Sequence, residues 1–194
     1  MRLRASYLLV GLVALALAAC ASDEAAPSTA ASDVASTAAS QLTPKPVVSI
    51  GVRDYAFDRV PRTITAGSPI EITNTSAKEA HELTAFRLPE GEIRPLSELR
   101  ALPPDELGKL LPGAPALALV ARPGADGDVV LGDGALHEPG RYLFVCFIPM
   151  GAKPDDVLTA MEKAAADPDV GPPQIEGGPP HMTAGMIADV EVVP

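Results

Sequence analysis

From residue 46 onward, apolar positions come in short runs that alternate with polar ones and are broken by Gly, Pro or Asn. In VVSIGVRDYAFDRV, Val48, Ile50 and Val52 alternate with smaller or polar residues, the period of two of a half-buried strand. PRTITAGSPIEITNTS repeats the pattern: Ile64 before Gly67-Ser68, and Ile70 and Ile72 after it, predict strand, turn, strand. HELTAFRL, residues 81–88, is a further candidate strand. GDVVLGDGALHEPGRYLFVCFIP reads as a strand, a loop turning at Glu138-Pro139-Gly140, and a strand ending near Cys146. MIADVEVV, residues 186–193, closes the chain as a last strand.

Two segments break the alternation. PLSELRALPPDELGKLLPG predicts one or two short helices, with Pro103 and Pro104 suiting a helix start and Gly113 the exit. PDDVLTAMEKAAADPDV is again helix-like, and GPPQIEGGPP after it is a loop. Short strands separated by turn signals predict an all-β Greek-key sandwich or barrel. The helical segments, about 95–119 and 150–180, are then insertions between strands.

The N-terminus has a different organisation. Arg2 and Arg4 precede a 13-residue apolar run, residues 7–19. That is short of the roughly 20 residues that a membrane-spanning helix needs, and it suits an export signal. Leu17-Ala18-Ala19-Cys20 resembles the bacterial lipoprotein box, which implies cleavage after residue 19 and lipidation of Cys20; an ordinary signal with a chance cysteine is the alternative. Acyl chains contribute about 0.8 kcal/mol per buried methylene, so several on one sulfur make a stable anchor. Residues 21–45 are Ala, Ser, Thr, Asp and Pro with almost no large apolar side chain, a flexible tether. The expected location is the extracytoplasmic, periplasmic face of a bacterial membrane.

About 149 residues, 46–194, remain for one domain with a real core. With Arg2 and Arg4 removed, 13 basic residues face 25 acidic ones, a net charge of −12. Phosphate binding needs a basic face, so nucleic acid is excluded as a partner. The charge is compatible with a basic protein partner or simply with solubility.

The chemistry concentrates near the end of the chain. Without Cys20, Cys146 is a lone thiol: an inert core residue, a nucleophile or a metal ligand. His81 opens one strand, and HMTAGM places His181, Met182 and Met186 just before the last. Two histidines, a cysteine and a methionine are the donors of a blue copper electron-transfer site: a His2Cys trigonal set with a weak axial thioether. Thiolate and thioether favour Cu(I), and imidazole suits Cu(II). Phe144, Phe147, Ile148 and Ile187 are expected to form an apolar surround that limits solvent access. His137, before the Glu-Pro-Gly turn, is expected at the surface, and the acidic runs PDDV and ADPDV on a solvated face.

On these residues the domain resembles the cupredoxins, the plastocyanin/azurin family. ITAGSPIEITNTS is similar to the family's strand–turn–strand ending in Asn ahead of the first histidine ligand, and AHEL to that histidine's setting. GRYLFVCFIP resembles the strand carrying the cysteine ligand, and PHMTAGM the closing loop with its histidine and methionine. The resemblance implies one type 1 copper held by His81, Cys146 and His181, with Met186 axial; Met182 and Met150 are alternatives to Met186. In typical members only a few residues separate the cysteine from the second histidine, whereas here 34 do. The longer loop puts extra mass near the copper edge, where a partner would dock.

The resemblance implies a monomeric, membrane-tethered carrier of single electrons. Its partner is a redox protein such as a cytochrome or a terminal oxidase, reached through an exposed edge of His181. Two other readings stand beside it. One is a non-redox binding module of the same fold, delivering copper or holding no metal. The other is an enzyme with Cys146 and His181 as nucleophile and base; no nucleophile motif surrounds the cysteine, so the non-enzymatic readings are preferred.

Overall fold

A computed structural model describes residues 44–111, 113–167, 171 and 173–194. The export signal, Cys20 and the tether up to residue 43 lie outside the described residues, as does most of the ADPDV run.

The alternating segments form two sheets. Strands β1 (Val48–Arg53), β2 (Ala56–Asp58) and β4 (Ile70–Asn74) make a three-stranded sheet in the order β2-β1-β4. The second sheet contains β3 (Thr63–Thr65), β5 (His81–Arg87), β6 (Leu117–Ala121), β7 (Gly127–Leu131), β8 (Gly140–Val145) and β9 (Ile187–Val193). Its order is β3-β9-β8-β5-β6-β7. Consecutive strands β5, β6 and β7 pair antiparallel, and β8 returns to lie beside β5. That spatial order, fourth-first-second-third, is a Greek key. Strand β1 runs parallel to β4 and β3 parallel to β9, as in a closed sandwich rather than a simple meander. The all-β Greek-key expectation holds.

Ile50, Val52 and Ile72 of the small sheet meet Leu83, Leu119, Phe144, Val190 and Val192 of the large one in a single buried cluster. Removal of this apolar surface from water is the main force holding the sheets together.

The helical segments cover the outer face of the large sheet. Helices α1 (Leu96–Arg100) and α2 (Pro104–Lys109) bury Leu99 and Leu107 against Leu143, Val145 and Ile187. Pro104 is the first residue of α2, as expected, but that helix ends at Lys109, ahead of Gly113. The first insertion is also shorter than the 95–119 read from the sequence, because its end belongs to β6. LALVA is an unbroken apolar run buried along its whole length, and such a run carries no period of two to mark it as a strand. The three-residue β2 was missed for its brevity. Helix α3 (Pro154–Ala166) inserts Val157 into the main core. It roofs an apolar hollow of about 760 Å³ whose floor includes Glu82, Thr84 and Phe86 of β5.

Candidate metal centre

Three elements bring the site together. His81 is the first residue of β5, paired with Ala121 of β6. Ahead of it the chain is fixed by Asn74, whose buried amide donates to the carbonyls of Glu79 (2.9 Å) and Ala121 (3.1 Å) and accepts the Ser76 N–H (2.9 Å). This is the structural task of the Asn that closes IEITN. Cys146 directly follows β8, and the pairing of β8 with β5, which sets Val145 opposite Thr84, brings the thiol to the end of the sheet where β5 begins with His81.

His181 arrives from the far end of the 34-residue interval, yet that interval is closed at its base. The Met150 N–H donates to Pro179 O (3.0 Å) and the Gly178 N–H to Met150 O (2.8 Å). The His181 N–H donates to Ile148 O (2.9 Å), and the Met182 N–H to Cys146 O (2.9 Å). Residues 146–150 and 178–182 therefore form a zipped stem, and the bulk of the insertion lies beyond it. Gly177 permits the close approach: a Cβ there would stand 2.5 Å from Pro149 Cβ. His181–Ala184 form a 3-10 turn that ends at Gly185 in the left-handed region (φ 101°). That glycine reverses the chain into Met186, whose backbone bonds to both His181 O (3.3 Å, as donor) and the Cys146 N–H (3.3 Å, as acceptor).

The ligand-type atoms converge. His81, Cys146 and His181 are all fully buried, and one donor atom from each falls within 4.8 Å of the other two. The two Nδ1 atoms are 3.1 Å apart, and Cys146 Sγ is 3.3 Å from His181 Nδ1. Burial is the first cause that pushes the His81 pKa down, to about 4, with the neighbouring His181 second. Burial likewise lowers His181. Both imidazoles are therefore neutral near pH 7, the form that ligates a metal. Burial also raises the Cys146 thiol well above its ordinary value. Three neutral groups whose ligand-type atoms gather at one buried point suit a cation among them. A soft sulfur with two imidazoles suits copper chemistry. The cluster fits one type 1 copper.

Of the three candidate methionines, Met186 is fully buried in the same cluster as Cys146 and Ile148. Met182 packs instead with Leu99, Leu107 and Ile187 under the first inserted segment. Met150 belongs to neither cluster and serves the loop stem through its backbone. Of the expected apolar surround, Phe144, Ile148 and Ile187 are buried, but Phe147 is 37% exposed. His137 is at the surface beside Asp133 (2.8 Å), as expected, and Asp155 of the PDDV run is 88% exposed.

Sequence reasoning missed the acidic and aromatic neighbours. His181 has no exposed edge, contrary to expectation: the Tyr55 ring meets it edge-on at 5.0 Å between centroids. Its Nε2 lies 3.3 Å from Glu79 Oε2. His81 Nε2 is buried without a hydrogen-bond partner among the described residues, 3.7 Å from Asp54 Oδ1. Glu82, on the opposite face of β5 from His81, is buried; its N–H points to Cys146 Sγ (3.5 Å) and its carboxylate accepts the Phe147 N–H (2.6 Å). Desolvation raises its pKa to about 7, although the bonds from Phe147 and Thr84 pull the other way. The signal was the string EAHE, two carboxylates around a histidine at the mouth of an apolar strand.

No family model matches the sequence, and no curated protein is similar to it. Solved structures are similar at low identity. Dithionite-reduced auracyanin from the photosynthetic bacterium Roseiflexus castenholzii is 18% identical, over 78% of this chain and 100% of that one, with a TM-score of 0.39. Auracyanin B is 15% identical, over 78% and 91%, at 0.38. Auracyanin A, a "blue" copper protein from Chloroflexus aurantiacus, is 19% identical, over 54% and 88%, at 0.33.

Proposed function

We propose that the protein is a type 1 copper protein that carries single electrons between redox partners while tethered outside the cytoplasm. The observation that carries this reading is the buried convergence of His81 Nδ1, His181 Nδ1 and Cys146 Sγ. Met186 would complete the donor set with its thioether; its burial in the cluster that holds Cys146 supports it over Met182 and Met150. Copper bound there would supply a one-electron couple. The protein supplies a dry, prefolded cage, which limits rearrangement between oxidation states.

Burial of the thiol argues against the nucleophile reading. A catalytic cysteine is partly exposed with a lowered pKa, whereas Cys146 is buried with a raised one. With the imidazole edge closed, a partner such as a cytochrome or a terminal oxidase meets the site across Tyr55 and Glu79. The lipid anchor at Cys20 and the tether behind it keep the carrier at the membrane, a reading that rests on the basic start, the apolar run and the box Leu17-Ala18-Ala19-Cys20.

The test is the visible spectrum of the full chain, purified in mild detergent, after one equivalent of Cu(II). An intense thiolate-to-copper band is expected, and Cys146→Ser should abolish it together with redox activity while leaving the fold. A colourless wild type, or a Cys146→Ser variant that keeps colour and redox activity, would overturn the assignment.

A further inference from the structure

His181 needs support that the loop carrying it does not supply. It sits on a four-residue 3-10 turn that has no side-chain cap. The ring is fixed from outside. Glu79 Oε2 stands 3.3 Å from His181 Nε2, and both Glu79 oxygens lie 3.2 Å from the Gly151 N–H. Glu79 is itself firmly placed: its N–H donates to Ser76 Oγ (3.0 Å), its carbonyl accepts from Asn74, and its side chain is only 18% exposed. One carboxylate thus joins the rigid segment ahead of β5 to both ends of the inserted loop.

We infer that Glu79 is the positioning residue for His181, doing for the long loop what a short connection between cysteine and histidine would do by chain length alone. A hydrogen bond donated by Nε2–H to the Glu79 carboxylate leaves the Nδ1 lone pair free to face Cys146 and His81. It fixes both the tautomer and the ring plane, the usual work of a carboxylate behind a metal-ligating histidine. The bond to Gly151 holds the first residues of the insertion against the same carboxylate, so loop and ring move together. That His181 then serves copper rests on the function proposed above; the tautomer and the brace do not.

A fixed negative charge behind the imidazole also makes it a stronger donor and favours the more highly charged oxidation state. Removal of Glu79 should therefore raise the reduction potential. The neutral isostere separates the two roles, because glutamine keeps an acceptor oxygen but loses the charge.

The experiment compares wild type, Glu79→Gln and Glu79→Ala as full chains. In the metal-free proteins, long-range proton–nitrogen NMR of the histidine rings reports which nitrogen carries the hydrogen. Wild type and Glu79→Gln are expected to hold His181 in one form, protonated at Nε2, and Glu79→Ala to spread over both tautomers. After copper loading, Glu79→Ala should bind copper about 10- to 100-fold more weakly, the usual loss on removing such a partner. Glu79→Gln should recover the affinity while its potential, like that of Glu79→Ala, stays above wild type. A wild-type His181 divided between tautomers, or a Glu79→Ala variant unchanged in tautomer, affinity and potential, overturns the inference. A wild type that shows no thiolate-to-copper band overturns the proposed function instead, and the metal-free spectra still decide the role of Glu79.

Discussion

His81 stands on a seven-residue strand paired on both sides, whereas His181 stands on a four-residue turn at the end of 34 intervening residues. The two rings reach the same point with their Nδ1 atoms 3.1 Å apart. Their outer nitrogens differ in a telling way. Among the described residues His81 Nε2 has no hydrogen-bond partner, with Asp54 Oδ1 3.7 Å away, while His181 Nε2 faces Glu79. A ring delivered by a strand ladder is placed by its backbone and tolerates an unsatisfied nitrogen. A ring delivered by a loop needs side-chain support. Convergence survives a long insertion because closure entropy grows only slowly with loop length, and because the stem, not the loop, sets the geometry.

The strongest way to break this comparison is to remove the insertion beyond its stem. Deleting residues 152–176, so that Gly151 joins Gly177, keeps every stem hydrogen bond named above and the Glu79 contact. It discards the buried side chains Val157 and Leu158 of α3. At about 1.5–3 kcal/mol for each buried aliphatic side chain, stability should fall by roughly 3–6 kcal/mol. The thiolate-to-copper band should nevertheless persist. Denaturant melts and the visible spectrum check the two halves of that statement, and loss of the band in a folded deletion variant would place the site's integrity in the loop.

A milder test attacks the stem and spares the loop. In Gly177→Ala the new Cβ would meet Pro149 Cβ at 2.5 Å and Met150 O at 3.0 Å, so the backbone must shift. Overpacking of this kind costs about 1–3 kcal/mol. The shift moves His181 and leaves intact the pairing of β5 with β6 and β8 that places His81 and Cys146, so copper affinity should drop while the metal-free core remains native by NMR. Equal disturbance at His81 and His181 would show that the two halves are not separately placed.

The same division explains what the sequence made legible. Strands with clear alternation, such as IEITN with its in-out burial, announced themselves, and the donor residues were recognisable because cysteine, histidine and methionine are scarce in this chain. Strand β6 stayed hidden because helix α3 and the core cover its two faces, leaving no polar side to create a period. The stem was invisible because its contacts are backbone hydrogen bonds, for which no side-chain pattern is required. Burial of the His181 edge was missed for a related reason: Tyr55 covers it from a turn 126 positions earlier, in a left-handed conformation (φ 63°) that nothing in the local sequence demands.

The smallest expected effect concerns Glu82 and His81, adjacent residues on opposite faces of β5 whose burial acts in opposite directions. His81 falls from 6.5 to about 4 on folding, so between those values the unfolded chain holds a proton that the folded chain does not. Stability from His81 is therefore full above pH 6.5 and is lost as pH falls toward 4. Glu82 rises from 4.5 to about 7, so its contribution is full below pH 4.5 and is lost as pH climbs toward 7. Between pH 4.5 and 6.5 the two slopes oppose each other. Glu82→Gln removes one of them, so the metal-free variant should gain stability with pH more steeply than wild type, by up to about 1.4 kcal/mol per pH unit for one full proton. Denaturant melts at half-unit pH steps read the difference. Parallel curves would mean that Glu82 titrates alike in the folded and unfolded chains, and that the outer face of β5, unlike the face carrying His81, is open to water.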